Sequence, residues 1–319
     1  MQQFRLGEAT PPGWREPAVT IGNFDGVHRG HQALVRATAG WARAHSGTAL
    51  VLTFDPHPAR VLAPSRAPAN LTTPAQKAEL LAGLGVDAVV TLPFDAGVAA
   101  LAPEVFVARV LVETLGARHV VVGEGFRFGA RQSGDAALLR RLGAERGFTV
   151  EAVAPVLLDG QPVSSSRVRE ALAAGEVALA RELLGRDYFV DATVVRGDGR
   201  GRTIGVPTAN LECDNEIVPA RGVYAGRLRT ADGAWHQAVV NRGLRPTFGG
   251  GSETVEAHLL DFQGGLYGSR ARLAFAHRLR EERRFPGPEA LLQQVREDVA
   301  RARALLSTPG EGGGIVEGR

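Results

Sequence analysis

Hydrophobic residues change their spacing once along the chain, near Tyr188, and no single architecture accommodates both patterns. Before that point the β-branched runs Val19–Gly22, Ala49–Phe54, Ala88–Leu92, His119–Val122 and Thr149–Val153 alternate with stretches of helical spacing. Leu34, Thr38, Trp41 and His45 form one such stretch, and Val105, Phe106, Arg109, Val110 and Val112 another. Parallel neighbours need a crossover, so repeated strand, helix and strand predict a doubly wound parallel α/β sheet. Such sheets bind ligands at the carboxyl ends of their strands. After Tyr188 the runs Tyr188–Arg196, Gly222–Arg229, His236–Asn241, Thr254–Leu260 and Ala271–Leu279 follow without long helices, the pattern of an antiparallel β-barrel. A last helix from Pro288 puts Leu292, Val295, Val299, Ala302 and Leu306 on one stripe that can pack on the barrel. The expected boundary lies near Arg186, after the helical segment Glu176–Leu184. Domains over 1–185 and 186–307 and a Gly-rich tail over 308–319, expected to be disordered, follow from it.

Composition removes several function classes. Hydrophobic residues at 44% and charged residues at 22% of 319 fit a folded chain. The absence of an apolar run near ~18 residues excludes a membrane helix. The first residues, MQQFRLGEATPPGW, lack an apolar export core, so a cytoplasmic location is expected. Cys213 is the only cysteine, which removes an internal disulfide and a CxxC zinc site. A net charge of +3 without a basic block argues against a nucleic-acid partner. Lys77 is the only lysine, and it does not follow a glycine as a P-loop lysine does. Phosphate chemistry here needs another scaffold.

One candidate scaffold starts where the strand Val19–Ile21 enters Gly22-Asn23-Phe24-Asp25-Gly26-Val27-His28-Arg29-Gly30-His31, with a helix from about His31. Glycines allow close backbone approach, and a helix start offers free N–H groups to an anion. Two imidazoles separated by Arg-Gly can donate to one phosphate as charge builds on it during nucleotidyl transfer. A glycine turn with two surface histidines is the alternative. Further on, Val163-Ser164-Ser165-Ser166-Arg167-Val168-Arg169 opens another helix, its hydroxyls placed to cap N–H groups or to contact phosphate, with Arg169 a turn away.

These segments, with TFDPHP at Thr53–Pro58, LTTPAQK at Leu71–Lys77 and GFRFG at Gly125–Gly129, resemble in order and type the adenylyltransferase half of the bifunctional riboflavin kinase/FMN adenylyltransferase family, also called FAD synthetase. The resemblance implies a nucleotidyltransferase domain. In it His28 and His31 act on ATP, with Gly22, Asn23, Phe24, Gly30, Ser165, Ser166 and Arg169 as ATP contacts. Phe54, Pro56, His57, Pro58, Gly125, Phe126 and Phe128 would stand on the flavin side. Gly125 replaces an Asp or Asn usual in the family, Ser166 a Thr, and Pro162 a basic residue.

The second candidate scaffold is Gly199-Arg200-Gly201-Arg202-Thr203-Ile204-Gly205-Val206-Pro207-Thr208-Ala209-Asn210. Its glycines can turn N–H groups toward phosphates. In an extended segment Thr208 and Asn210 point to one side, and both offer hard oxygen ligands suited to Mg²⁺ shared with a nucleotide. A simple turn is the alternative. Pro219–Gly226, Asn241–Phe248 and Val255–Phe262 resemble the riboflavin kinase half of the same family, so the likeness spans nearly the whole chain. It implies Glu256 as general base on the ribityl hydroxyl, Gly201, Thr208 and Asn210 on Mg²⁺-ATP, and Arg284 and Phe285 over the flavin. His258, two residues from Glu256, reads as a structural neighbour. The implied substrates and products are riboflavin, FMN, FAD and ATP. A kinase with an inactive adenylyltransferase half, and a flavin-binding protein without turnover, stay open, and the sequence specifies no oligomeric state.

Overall fold

The computed structural model describes residues 1–8, 13–197, 205–245 and 252–307. By contacts, the chain forms two compact units that divide between Ser164 and Ser165.

The first unit is built on a six-stranded sheet: β1 (Gln2–Arg5), β2 (Pro17–Ile21), β3 (Thr48–Asp55), β4 (Ala88–Pro93), β5 (His119–Gly123) and β8 (Thr149–Val153). A two-stranded ribbon, β6 (Arg127–Phe128) with β7 (Gly134–Asp135), lies between β5 and β8 in sequence. The sheet order is β1-β4-β3-β2-β5-β8, and every pairing is parallel. The order reverses between β2 and β5, which opens a crevice at their carboxyl ends. The expected sheet is therefore present, with β1 as an addition. Its residues QQFR are exposed or half-buried, so no alternation betrays an edge strand.

Helix α1 (Arg29–Ala44) crosses from β2 to β3 and buries Val35, Thr38, Ala39 and Ala42, a face one residue round from the expected stripe. His45 is its exposed C-cap rather than a core residue. The short helix α2 (Pro58–Leu62) and α3 (Pro74–Ala82) follow β3. Helix α3 starts with a reciprocal cap in which Thr73 Oγ1 accepts from Gln76 N–H and the Gln76 side chain accepts from Thr73 N–H. After the short α4 (Ala96–Ala99), α5 (Pro103–Phe106) runs into a π-helical segment, Val107–Thr114. That wider winding turns Val107, Val110 and Leu111 inward and leaves Arg109 exposed, against the regular helix expected there. Helix α6 (Ala136–Arg146) precedes β8, and a small hairpin of β9 (Leu157–Leu158) and β10 (Gln161–Pro162) ends the unit.

The second unit opens with α7 (Ser165–Ala174) and α8 (Val177–Leu184) and closes six antiparallel strands into a barrel. They are β11 (Tyr188–Val195), β12 (Ala209–Cys213), β13 (Gly222–Arg229), β14 (Trp235–Arg245), β15 (Ser252–Leu259) and β16 (Arg270–Arg280), in the order β11-β12-β15-β14-β13-β16. The sequence pattern foresees five of the six. Strand β12, Ala-Asn-Leu-Glu-Cys, alternates apolar and polar residues but is only five residues long, and its first two belong to the Thr208–Asn210 motif that reads as a turn.

Helix α9 (Pro288–Ser307) closes over the barrel. Ala302 and Leu306, with Val299, pack on Val223, Ala225, Val239, Leu260, Ala276 and Leu279. A polar clamp holds the same helix, for Arg280 donates to both carboxylate oxygens of buried Asp298 at 2.8–3.1 Å. The tail over 308–319 lies outside the described residues. Among those described, no helix is long and apolar enough to cross a membrane.

Candidate active sites

The turn that leaves β2 is a strained segment held by buried polar bonds. Phe24, Gly26 and Val27 all have positive φ, at 48°, 80° and 42°, a region that a β-branched residue such as Val27 rarely enters. A side chain at Gly26 would collide with Leu71. The Asp25 carboxylate, 2% exposed, accepts from the N–H groups of Leu71 and Thr72 at 3.0–3.2 Å and from the Thr72 hydroxyl at 3.2 Å. Thr72 Oγ1 in turn accepts from Gly26 N–H. The Asn23 carbonyl accepts from Lys77 Nζ at 2.8 Å and from the Thr53 hydroxyl at 3.2 Å. The motifs GNFDG and LTTPAQK, 46 residues apart at Asp25 and Leu71, thus form one structure.

This frame sets the start of α1. His28 is its N-cap, with Nδ1 accepting from His31 N–H at 3.3 Å. The two imidazoles stack at 3.6 Å, and His31 also packs on Phe24, whose ring is fully buried. Burial, with His28 and Lys77 close by, holds the His31 pKa well below the ordinary imidazole value. His31 is therefore neutral at pH 7, and its buried Nδ1 has no hydrogen-bond partner among the described residues. Burial also lowers the Lys77 pKa, against the opposing pull of Asp25 and Asp55.

Beside the turn lies a cleft of about 950 Å³, lined by Gly22 and Asn23 and walled by Phe54, Phe94, Phe106, Phe126 and Phe128. Phe54 and Phe94 meet edge to face, and Phe126 stacks on Phe128. A flat aromatic ligand fits such walls. Gly22, Asn23, Phe54, Pro58, Phe126 and Phe128 are brought together here from three separate motifs. Pro56, His57 and Gly125 are not among the walls. His57 caps α2 by accepting Ala59 N–H at Nδ1, and its Nε2 lies 3.1 Å from the Asn23 side-chain amide. A Cβ at Gly125 would meet nothing within 4 Å, so packing does not require glycine there. Ser165, Ser166 and Arg169 lie on the first turns of α7, in the second unit. Sequence reasoning missed Phe94, Phe106, Arg131 and Lys77; the signal for Phe94 was its place directly after a strand, at the carboxyl end of β4.

In the barrel, Glu256 sits mid-strand on β15, opposite Asn210 of β12 on one side and Asn241 of β14 on the other. Thr208 Oγ1 donates to Glu256 Oε2 at 3.4 Å. A second cleft, of about 290 Å³, is lined by Thr208, Glu256, Asn241 and His258 together with Arg280, Arg283, Phe285 and Val295. Arg280 and Arg283 lie over the Phe285 ring at 5.6 and 5.0 Å. Arg284, selected from sequence, is exposed and lines an adjacent groove with Gln293 and Glu297; Arg283 is the neighbour that reaches the Glu256 cleft. Asn241, one strand away from the selected glutamate, was not selected either. Gly201 lies outside the described residues. Among the described residues no group of three or more His, Cys, Asp or Glu side chains forms a metal cluster. Hydroxyl and amide oxygens at Thr208 and Asn210 fit a magnesium ion that takes its remaining ligands from a nucleotide.

Comparison with known proteins matches two separate stretches of the chain. A family model described as FAD synthetase matches residues 11–167, and one described as riboflavin kinase matches 184–306. The bifunctional riboflavin kinase/FMN adenylyltransferase of Pseudomonas fluorescens is 43% identical over 308 residues, covering 96% of this chain and 98% of the relative. That of Escherichia coli K12 is 39% identical, covering 90% and 92%. A crystal structure from Streptococcus pneumoniae, described as a macrolide-efflux protein, superposes with a TM-score of 0.87 at 28% identity, covering 95% of this chain and 99% of that one.

Proposed function

The chain belongs to the bifunctional riboflavin kinase/FMN adenylyltransferase family, and from that premise we propose which residues carry each of its two reactions. It phosphorylates riboflavin with ATP to give FMN, and adenylylates FMN with ATP to give FAD and pyrophosphate. We divide the work functionally at about residue 185, with adenylylation before it and phosphorylation after it, in a protein of the cytoplasm.

For adenylylation, one observation carries the assignment: Gly22 and Asn23 line the same cleft as Phe54, Phe126 and Phe128. An aromatic slot for the isoalloxazine therefore opens onto a phosphate-binding turn. The FMN phosphate oxygen attacks the α-phosphorus of ATP, and the bond to pyrophosphate breaks. Negative charge on the transferring phosphorus is met by the N–H groups at the start of α1 and by His28. Neutral His31 offers an N–H without repelling or fixing a second proton. Ser165, Ser166 and Arg169 are the proposed further contacts to ATP, and Phe24, being fully buried, acts through its backbone.

For phosphorylation, Glu256 accepts the proton of the ribityl 5′-hydroxyl as its oxygen attacks the γ-phosphorus and ADP leaves. Thr208 and Asn210 would hold Mg²⁺ with ATP, Gly201 would contact the phosphates, and Arg284 and Phe285 would cover the flavin. When bound, Mg²⁺ neutralises phosphate charge. Phe285 supports this reading by standing in the Glu256 cleft. The test is to incubate the purified chain with riboflavin, ATP and Mg²⁺ and to resolve the flavins by chromatography over time. FMN followed by FAD is the expected course, and FMN alone would remove the adenylylation assignment.

A further inference from the structure

Val206, Pro207 and Thr208 lead into β12 from outside the barrel ladder. Pro207 has no N–H to give a neighbouring strand. Two side chains of β15 hold this approach instead. Glu256 Oε2 accepts from the Thr208 hydroxyl, and His258 Nδ1 lies 2.8 Å from the Pro207 carbonyl. Glu256 and His258 are two residues apart on one strand, hence on one face, and both line the cleft with Val206 and Thr208. A carbonyl can only accept, so the proton of this bond belongs to His258 Nδ1, and Nε2 is left as the acceptor of the neutral ring. Alternate positions of one strand thus grip two adjacent residues of the neighbouring segment.

We propose that His258 is a positioning residue of the kinase site, its Nδ1–H fixing the Pro207 carbonyl so that the Thr208 hydroxyl is directed at Glu256 with its lone pairs toward the nucleotide. This rests on the reading of the Glu256 cleft as the site of riboflavin phosphorylation. Sequence alone makes His258 a bystander; the bond to Pro207, a contact across 51 positions, gives it a task. The bond acts on the segment that meets Mg²⁺-ATP and not on the flavin, so its loss separates the two substrates.

The experiment compares His258→Ala and His258→Asn in the full chain. An asparagine keeps a short N–H donor on the same backbone position. Loss of one such hydrogen bond is expected to raise the KM for Mg²⁺-ATP in FMN formation about tenfold, with the KM for riboflavin and the conversion of supplied FMN to FAD unchanged. Calorimetry with ADP and Mg²⁺ is expected to show the same loss of affinity without turnover, and His258→Asn is expected to recover most of both. ¹⁵N spectra of the ligand-free wild type are expected to show His258 protonated at Nδ1, a readout that holds even where a variant fails to fold. A wild-type KM and ADP affinity in His258→Ala, an asparagine variant no better than the alanine, or an Nε2–H tautomer would overturn the proposal. Glu256→Gln run alongside separates the premise from the inference. If it still forms FMN, the site reading falls; if it does not, while His258→Ala is kinetically normal, only the role of His258 falls.

Discussion

His28 caps the helix that carries His31 and stacks its ring on that of His31 at 3.6 Å, using one imidazole for two tasks. Because Nδ1 accepts the His31 N–H, the neutral ring of His28 carries its proton on Nε2. The cap therefore fixes the tautomer that can donate to phosphate, and the helix start and the imidazole present donors together.

Substitution at His28 separates the two tasks. In His28→Asn the side-chain oxygen can still cap α1, so stability is expected to stay within about 0.5 kcal/mol of wild type. His28→Ala should cost about 1 kcal/mol. Both variants lose the ring N–H, and both should lose FAD formation by about 10²-fold or more while FMN formation is unaffected. Flavin chromatography and urea unfolding of the two variants check this. An asparagine variant that makes FAD at the normal rate would show that the imidazole is there for the cap alone.

Glu256 gives the converse case. Glu256→Gln keeps the shape of the side chain and an oxygen for the Thr208 hydroxyl but cannot take a proton. A loss of about 10²–10⁴-fold in FMN formation is expected from removal of a general base, with supplied FMN still converted to FAD. Kinase activity near that of wild type would leave Glu256 a structural partner of Thr208.

The histidine turn was legible in the sequence because its strand, glycines, cap and helix follow one another directly, whereas the bonds from Leu71 and Thr72 to Asp25 that hold it come from a distant segment. The aromatic slot was half legible. Phe54, Phe126 and Phe128 sit in recognisable motifs, whereas Phe94 reaches it only through the strand order β4-β3-β2-β5 and Phe106 from the end of the short helix α5. In the barrel, Asn241 stands beside Glu256 by cross-strand register, which no short-range pattern encodes. Arg283 and Arg284 differ by one position in an irregular segment, where spacing has no period to decide which one faces the cleft.

Asp25 links the first histidine motif to the Leu71–Lys77 motif. Asp25→Ala leaves the N–H groups of Leu71 and Thr72 without their carboxylate, and each buried donor so abandoned costs about 1–3 kcal/mol. The positive-φ turn at Phe24–Val27 then loses the bonds that impose it. Stability is expected to fall by about 2–5 kcal/mol, and FAD formation should drop more than FMN formation in samples kept folded at low temperature. Equal losses of the two activities, measured below the unfolding transition, would refute the link between Asp25 and the phosphate turn.

Three histidines shift in the same direction with burial. His31 is lowered by burial, then by His28 and Lys77. His119 is lowered by burial and His45 against the pull of Glu151, and His277 by burial, Arg181 and Arg227 against Asp187. A histidine whose folded pKa is depressed takes up its proton more readily when unfolded, near pH ~6.5. Stability is therefore greatest above that value and falls as pH drops below it toward the folded pKa. Urea midpoints at pH 7.5 and 5.5 should show this loss, and His31→Gln should reduce the difference between the two. A midpoint that rises on acidification would contradict the assigned direction.

Asp298 tests how the last helix serves the barrel. Its carboxylate is 4% exposed and takes both ends of the Arg280 guanidinium, with Gln294 donating to one oxygen at 2.9 Å. Arg280 also lies over the ring of Phe285, which stands in the Glu256 cleft. Asp298→Ala strands a largely buried cation, a loss of about 3 kcal/mol, and frees Arg280 from the geometry that places it over Phe285. The helix keeps its apolar contacts through Ala302 and Leu306, so the barrel should still fold. The KM for riboflavin is expected to rise several-fold, with adenylylation of supplied FMN unchanged. Arg280→Met with Asp298→Leu replaces the pair by apolar groups and should recover stability, because neither partner is then left charged and alone. It should not recover riboflavin affinity, since the cation over Phe285 is still missing. Recovery of both in the double variant would mean that helix docking alone, and not the guanidinium, shapes the flavin end of the cleft.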